Sequence, residues 1–208
     1  MYQKIFKRFL DILLSLLAII CLSWLLLVVA VLVKIKLGSP VIHAAKRVGK
    51  DKKLFTLYKF RSMTNERDEN GKLLPDKDRL TKFGRILRAT SIDELPELFN
   101  ILKGDMSIIG PRPLPEIYLP YYTEHEGKRH DIRPGLSGWA QANGRNSLSW
   151  SEKFELDVWY RENISFWLDV KIIFLTVLKV FKREGIGQGE QIPVSLHIER
   201  ANEINLTQ

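Results

Sequence analysis

From Ile12 to Val33 the chain carries no charged residue. No other stretch limits the fold as strongly. At a rise of ~1.5 Å per residue, a helix over this run matches a hydrocarbon core of ~30 Å. It is apolar all round, so it is expected in a membrane rather than in the core of a small domain. A cleaved signal peptide fits poorly. Asp11 stands at the start of the run, and no small-residue cleavage site precedes Lys34-Ile35-Lys36. Two topologies stay open, a spanning helix and a re-entrant one. Lys4, Lys7 and Arg8 flank one end, and Lys34 and Lys36 the other. Positive charge prefers the cytoplasmic side, which favours entry and exit by the same face. Such a helix needs a break. Ser23 lies near the middle, but Trp24 follows it rather than proline.

The remaining residues suffice for one domain. The boundaries read as a membrane helix over 1–37, a domain over 38–186 and a loose tail over 187–208 of the 208 residues. With 45% hydrophobic and 27% charged residues, the chain has the balance of a folded protein. Its formal net charge of +8 favours anionic partners: phosphorylated small molecules, nucleic acid or an anionic membrane surface. The single cysteine, Cys21, excludes an intramolecular disulfide and a cysteine-based zinc site. This fits a reducing compartment.

Leu54 to Tyr58 reads as a strand. Thr64 to Arg79 reads as a polar loop, either a plain connection or a functional one. Leu95, Leu98, Phe99 and Leu102 follow helical spacing and predict a helix over Ser91 to Leu102, stopped at Gly104. Two more helices are expected at Ser151 to Glu162 and Ser165 to Arg183. The apolar stripe of the second suits a membrane interface or a core equally. The residues from Gln188 onward read as loose tail.

Asp93 and Glu94 sit at the start of the predicted Ser91–Leu102 helix. Ser91 with Glu94 three residues on has the pattern of a capping box, with Pro96 tolerated early in the helix. Their surroundings add a chemical reading. Arg61, Arg85, Arg88, Arg112, Arg133 and Arg145 stand near glycines and prolines, and guanidinium groups bind phosphate oxygens in pairs. Pro111 and Pro113 restrict the backbone around Arg112. Gly144 permits close approach beside Arg145. Carboxylates among arginines suit chemistry at a diphosphate. A carboxylate-held divalent metal neutralises charge, and a second carboxylate attacks phosphorus. Neighbouring helical residues diverge by ~100°, so divided roles are expected for Asp93 and Glu94. The scattered His43, His125, His130 and His197 form no metal motif, and no P-loop, dinucleotide fingerprint or Gly-x-Ser-x-Gly elbow is present.

Four stretches carry a resemblance: Lys59 to Met63, Ser91 to Asn100, Lys103 to Pro113 and Arg133 to Gln141. In this order they resemble the bacterial sugar transferases, the monotopic phosphoglycosyl transferases, from the N-terminus to about Glu184. The small single-domain members of that family are the most similar. The resemblance implies a mostly helical α/β enzyme with a re-entrant membrane helix and amphipathic interfacial helices. It places the enzyme on the cytoplasmic face of a bacterial inner membrane. It implies transfer of a sugar 1-phosphate from a UDP-sugar to undecaprenyl phosphate, with release of UMP. The family's nucleophilic aspartate matches Asp93, which is also the expected ligand of Mg²⁺. Glu94 is expected to assist with proton or metal handling. The family's functional lysine and distal aspartate match Lys59 and Asp169, expected among the catalytic residues; the blander reading of the pair is a structural salt bridge, which is compatible with holding the site. Arg88, Arg112 and Arg145 fall where phosphate is bound. The expected donor is an N-acetylated, 6-deoxy sugar such as that of UDP-N,N'-diacetylbacillosamine.

The chain departs from the family's pattern in two places. The family breaks its membrane helix at a Ser-Pro pair, and this chain has Ser23-Trp24. Small relatives often carry an aromatic residue and a glutamine where this chain has His43 and Ala45. The competing expectation, based on charge alone, is a membrane-anchored protein that binds anionic lipid or nucleic acid. It leaves the acidic pair beside rigid arginine loops without a purpose, and no RNA-binding aromatic signature is present, so nucleic acid is not the expected partner.

Overall fold

The computed structural model describes residues 2–144, 148–182 and 195–206. The apolar run forms two helices, α1 (Lys7–Cys21) and α2 (Ser23–Leu37), bent by 64°. No single helix among the described residues is long and apolar enough to cross a membrane. The straight spanning helix is therefore not formed, and the break needs no proline. Leu22 leaves helical torsions at φ −98°, ψ 7°. The Ser23 hydroxyl donates back to the Ile20 carbonyl at 2.9 Å. Such a back-bond competes with the helical ladder and bends it.

Helix α1 is inverted relative to a helix of a soluble protein. Its polar Asp11 and Ser15 are buried, while Phe9, Leu17 and Ile20 face outward. The Asp11 carboxylate accepts from the Ser107 hydroxyl at 3.0 Å and the Ile108 amide at 2.9 Å. On α2, Val29 and Val33 pack under Phe60 and Leu87, and Trp24, Leu27 and Ile35 are exposed. An outward apolar face on both helices fits lipid rather than water.

Strands β1 (Ile42–Val48) and β2 (Leu54–Phe60) form an antiparallel hairpin running from Ile42↔Phe60 to Val48↔Leu54. Paired residues share a face and alternate along the strand. His43, Ala45 and Arg47 therefore lie on the same face as Lys59, Leu57 and Phe55. The polar stretch after β2 is a loop, as read, with an Arg67↔Leu73 bridge around Gly71 and a single turn, α3 (Asp76–Arg79). Helix α4 (Lys82–Ala89) starts at Thr81, whose side chain accepts from the Gly84 amide at 3.1 Å.

The helix expected over Ser91–Leu102 is interrupted. A 3₁₀ turn covers Ile92–Glu94, and α5 runs Glu97–Lys103 with Pro96 as its cap. Proline lacks the amide proton and clashes with the carbonyl four residues back, here Ile92, so the two segments cannot fuse. Ser91 is left-handed at φ 56° and makes no capping bond. The capping-box reading of Ser91 and Glu94 is thus corrected. Gly104 does stop α5, at φ 105°. Arg8 donates to the free carbonyls of Ile101 and Leu102 at 2.6 and 2.9 Å, and Arg133 to that of Gly104 at 2.9 Å.

Two short parallel strands, β3 (Ser107–Ile109) and β4 (Gly135–Ser137), follow. Between them lie an extended run, 3₁₀ turns and the single-turn α6 (Glu124–Gly127). After β4 come α7 (Trp139–Asn143), α8 (Trp150–Glu162) and α9 (Phe166–Lys182). The last two match their expected positions to within about a residue at each end. On α9, Ile172 and Asp169 are buried while Trp167 and Phe174 are 76% and 62% exposed. The stripe faces outward, which favours the interfacial alternative over a core helix. The tail read as loose contains α10 (Leu196–Leu206). Leu196 is fully buried beside Tyr118 and Phe154. Arg200 donates to both Glu126 oxygens at 2.7 and 2.5 Å.

The loop that carries Arg112 is set by backbone contact. The Gly135 amide donates to Pro111 O, and the Gly110 amide to Ser137 O, both at 2.9 Å. A Cβ on Gly135 would stand 2.1 Å from the Gly110 nitrogen. Backbone cannot give way cheaply, so Gly135→Ala should lose at least about 2 kcal/mol of stability. Gly71→Ala, at φ +76° in open space, should lose only about 1 kcal/mol. Chemical unfolding in detergent checks both.

Candidate active site

The turn between α4 and α5 places the acidic pair. Ile92 and Leu95 pack against the cluster of Val33, Phe60 and Leu87. Residues of a 3₁₀ turn diverge by ~120°, so anchoring Ile92 and Leu95 inward turns Asp93 and Glu94 toward β2 and the Arg112 loop. The two side chains then meet different partners, as their adjacency requires.

Glu94 Oε1 accepts from Lys59 Nζ at 2.8 Å and from an Arg112 guanidinium nitrogen at 3.1 Å. The same Lys59 ammonium lies 3.0 Å from Glu97 Oε1. Burial works against ionised Glu94, but Arg112 and Lys59 outweigh it and hold the carboxyl below its usual range. Glu97 is 3% exposed. Burial pushes it up, with Lys59 opposing and the neighbouring Glu94 charge adding to the rise.

Asp93 differs from both. It is 8% exposed, and no described residue makes a hydrogen bond or ion pair to its carboxylate. Burial first, then the Glu94 charge, raise it to about 6, against the pull of Lys59, Arg88 and Arg112. The fold thus holds a desolvated carboxylate near three cations and leaves its lone pairs open. That combination suits a nucleophile toward an anionic centre.

Beside the dyad, a cleft of about 120 Å³ is lined by Arg47, Lys59, Glu97, Arg112 and the Pro113–Pro115 run over Leu57. Arg129 steadies its wall. Its guanidinium is 2% exposed, grips Asp157 Oδ2 at 2.7 and 3.0 Å, and donates to the Arg112 carbonyl at 2.8 Å. Glu97, Arg47 and Arg129 were not singled out as site residues from sequence. Arg47 becomes visible once β1 and β2 are paired, because it shares the Lys59 face. Glu97 and Arg129 depend on contacts far apart in the chain.

Arg88 reaches the site edge, donating to the Ser62 hydroxyl at 2.9 Å. Asp169 does not reach Lys59, and the expected salt bridge between them is not made. Asp169 instead accepts from Lys7 at 2.6 Å, Tyr2 at 2.7 Å and Tyr160 at 2.5 Å. It ties the start of α1 to α8 and α9. Arg61 and Arg133 also serve elsewhere, Arg61 on the Leu37 and Ser39 carbonyls at and after the end of α2 and Arg133 on that of Gly104 after α5. Arg145 lies outside the described residues. Among the described residues no group of three or more His, Cys, Asp or Glu side chains is placed to hold a metal. Mg²⁺ commonly takes only one or two carboxylates and completes its shell with substrate phosphate and water. The open Asp93 carboxylate fits that requirement.

The raised Asp93 pKa has a sign for stability. Between pH 3.8, its ordinary value, and about 6, the folded state binds more protons than the unfolded state. Stability therefore falls as pH rises through that window and stays low above it. Asp93→Asn should raise the melting temperature at pH 7.5, by on the order of 2 kcal/mol of stability, and change little at pH 4. Thermal unfolding at the two pH values checks it.

Comparison with known proteins now places the chain. Residues 2–183 match the family model described as bacterial sugar transferase. The chain is 54% identical over 188 residues to a Bacillus subtilis protein named uncharacterized sugar transferase EpsL, covering 90% of this chain and 93% of that one. It is 42% identical over 183 residues to the Aeromonas hydrophila UDP-N-acetylgalactosamine-undecaprenyl-phosphate N-acetylgalactosaminephosphotransferase, covering 82% of this chain and 42% of the relative. It is 43% identical over 189 residues to the Klebsiella pneumoniae UDP-glucose:undecaprenyl-phosphate glucose-1-phosphate transferase, covering 86% and 41%. The chain thus spans nearly all of the Bacillus relative and about two fifths of the other two. With the family model covering most of its length, the chain belongs to the bacterial sugar transferase family.

Proposed function

We propose that this protein transfers a sugar 1-phosphate from a UDP-sugar to undecaprenyl phosphate and releases UMP. The observation that carries the chemistry is the buried Asp93 carboxylate, unbonded by any described residue and faced by Lys59, Arg88 and Arg112. Relatives named for this reaction on N-acetylgalactosamine and glucose donors support the substrate class.

An Asp93 oxygen attacks the phosphorus that bears the sugar. The phosphoanhydride bond breaks, UMP leaves with the electron pair, and an acyl-phosphate sugar remains on Asp93. An oxygen of undecaprenyl phosphate then attacks the same phosphorus and restores the carboxylate. Arg112 and Arg88 steady the phosphate oxygens. Glu94, paired with two cations, stays ionised and aims them. Glu97, which burial pushes above the usual carboxylate range, shares the Lys59 ammonium with it. Asp93 together with substrate phosphate would hold Mg²⁺, which supplies charge neutralisation at the diphosphate.

The bent α1–α2 pair with its outward apolar face supports a re-entrant anchor at the cytoplasmic face of a bacterial inner membrane. The outward stripe of α9 supports a second, interfacial contact. The likeness to small single-domain family members favours an N-acetylated donor, with UDP-N,N'-diacetylbacillosamine the first to try.

A panel of UDP-sugars with undecaprenyl phosphate and Mg²⁺, read by UMP release, tests the proposal. One donor should turn over and Asp93→Asn should abolish turnover. Full activity in that variant would remove Asp93 from the chemistry. Salt-sensitive binding of nucleic acid with no turnover on any donor would favour the binding-protein reading instead. The acid limb of kcat/KM reports the free enzyme and should lie near pH 6, the Asp93 value. Lys59→Met removes a cation that lowers that value, so its limb should move to higher pH. A limb unchanged in Lys59→Met would contradict the assignment to Asp93.

A further inference from the structure

Arg47 is the cation that the dyad chemistry leaves unused. It stands on β1 on the same face as Lys59. Lys59 is opposite His43, and Arg47 lies four residues further along, about 14 Å at strand spacing. Between them the floor is Ala45 opposite Leu57. Leu57 lines the cleft, together with Glu97 and the Pro113–Pro115 run. Lys59 closes one end of the cleft and Arg47 the other, with Arg112 on the wall.

The charges are distributed unevenly along this cleft. Glu94 and Glu97 both gather on Lys59. Arg47 is half-buried and has no carboxylate within ion-pair distance among the described residues. Among the described residues its guanidinium makes one hydrogen bond, to the adjacent Lys46 carbonyl. Burial and the neighbouring Arg112 work against its charge and outweigh the support of the more distant Glu97 and Tyr118. A guanidinium kept inward beside another guanidinium, with no described carboxylate at ion-pair distance, leaves an anion's place open. Strand β1 runs away from the end of α2, which sets Arg47 farther from that helix end than Lys59.

Building on the phosphoglycosyl transfer reading, we propose that Arg47, together with Arg112, binds the phosphate of the nucleotide that leaves. Arg47 would then act in the nucleotide half of the reaction and not in the lipid half. Its selectivity is for a nucleoside monophosphate, presented first as part of the nucleoside diphosphate sugar and then as free product.

The test uses the full-length enzyme in detergent or nanodiscs, with Arg47→Gln and Arg47→Lys. Calorimetry with UMP alone reads affinity without turnover. Steady-state kinetics reads KM separately for the donor and for undecaprenyl phosphate. Loss of a charge-assisted pair predicts a roughly 10- to 100-fold weaker UMP affinity and higher donor KM in Arg47→Gln. Arg47→Lys should be intermediate, and the lipid KM should stay within about twofold of wild type. Unchanged UMP affinity and donor KM in both variants, with wild type binding UMP and turning over, would overturn this inference alone. A rise confined to the lipid KM would overturn it as well. Wild type that neither binds UMP nor turns over any donor would instead overturn the transferase reading. Should Arg47→Gln lose its cooperative melt, Arg47→Lys decides: weaker UMP binding at an unchanged melting temperature supports the inference, and equal binding rejects it.

Discussion

The Lys59 ammonium, shared between Glu94 at 2.8 Å and Glu97 at 3.0 Å, is the contact on which the site depends. Three carboxylates in close sequence, partly withdrawn from water, repel one another and favour protonation. Lys59 and Arg112 absorb the charge of Glu94. Asp93 can then remain a carboxylate near neutral pH without a partner of its own. Its lone pairs stay open because its neighbours' charges are already spent on each other. A salt bridge directly to Asp93 would have stabilised the fold more and closed its carboxylate. The price is a buried acid whose pKa is raised to about 6.

The same logic links the membrane hairpin to the site. Helix α1 turns its polar Asp11 and Ser15 inward and its apolar side chains outward, the arrangement that suits a lipid surround. Asp11 then seizes Ser107 and Ile108 on β3, and Arg8 seizes the end of α5. Val33 on α2 packs under Phe60 and Leu87, in the cluster that also seats Ile92. The turn bearing Asp93 therefore rests on the anchor itself. Gly110 and Gly135, backbone against backbone, fix the opposite wall that carries Arg112.

Much of this was legible in the residues. Uniform apolarity from Ile12 to Val33 announced the anchor, aromatic and β-compatible residues marked β2, and an apolar stripe marked α9. The bend was not legible, because it rests on the torsions of Leu22 and the Ser23 hydroxyl rather than on a proline. Ser91 and Glu94 carry the pattern of a capping box, yet Pro96 denies the helix its first turn and Glu94 is drawn to Lys59. Leu196 and Arg200 gave too weak a pattern to reveal α10, whose partners Tyr118, Phe154 and Glu126 lie far upstream. Asp169 was expected at Lys59 because a resemblance can transfer a residue but not a contact. Its real partners, Lys7, Tyr2 and Tyr160, pull together both ends of the family-matched region. The arginines along the chain suggested diphosphate chemistry for the Asp93–Glu94 pair, and the resemblance singled out Asp93. Its open lone pairs were not legible, because they depend on where Lys59 and Arg112 fold.

The central claim is that Asp93 takes the phospho-sugar covalently. Intact-protein mass spectrometry after brief exposure to the active UDP-sugar and Mg²⁺, with no lipid phosphate present, measures this directly. A mass gain equal to one sugar phosphate, formed with UMP, absent in Asp93→Asn and discharged on adding undecaprenyl phosphate, is the predicted result. UMP release that occurs only when undecaprenyl phosphate is present, with no adduct at any time, would contradict it and indicate direct attack by the lipid.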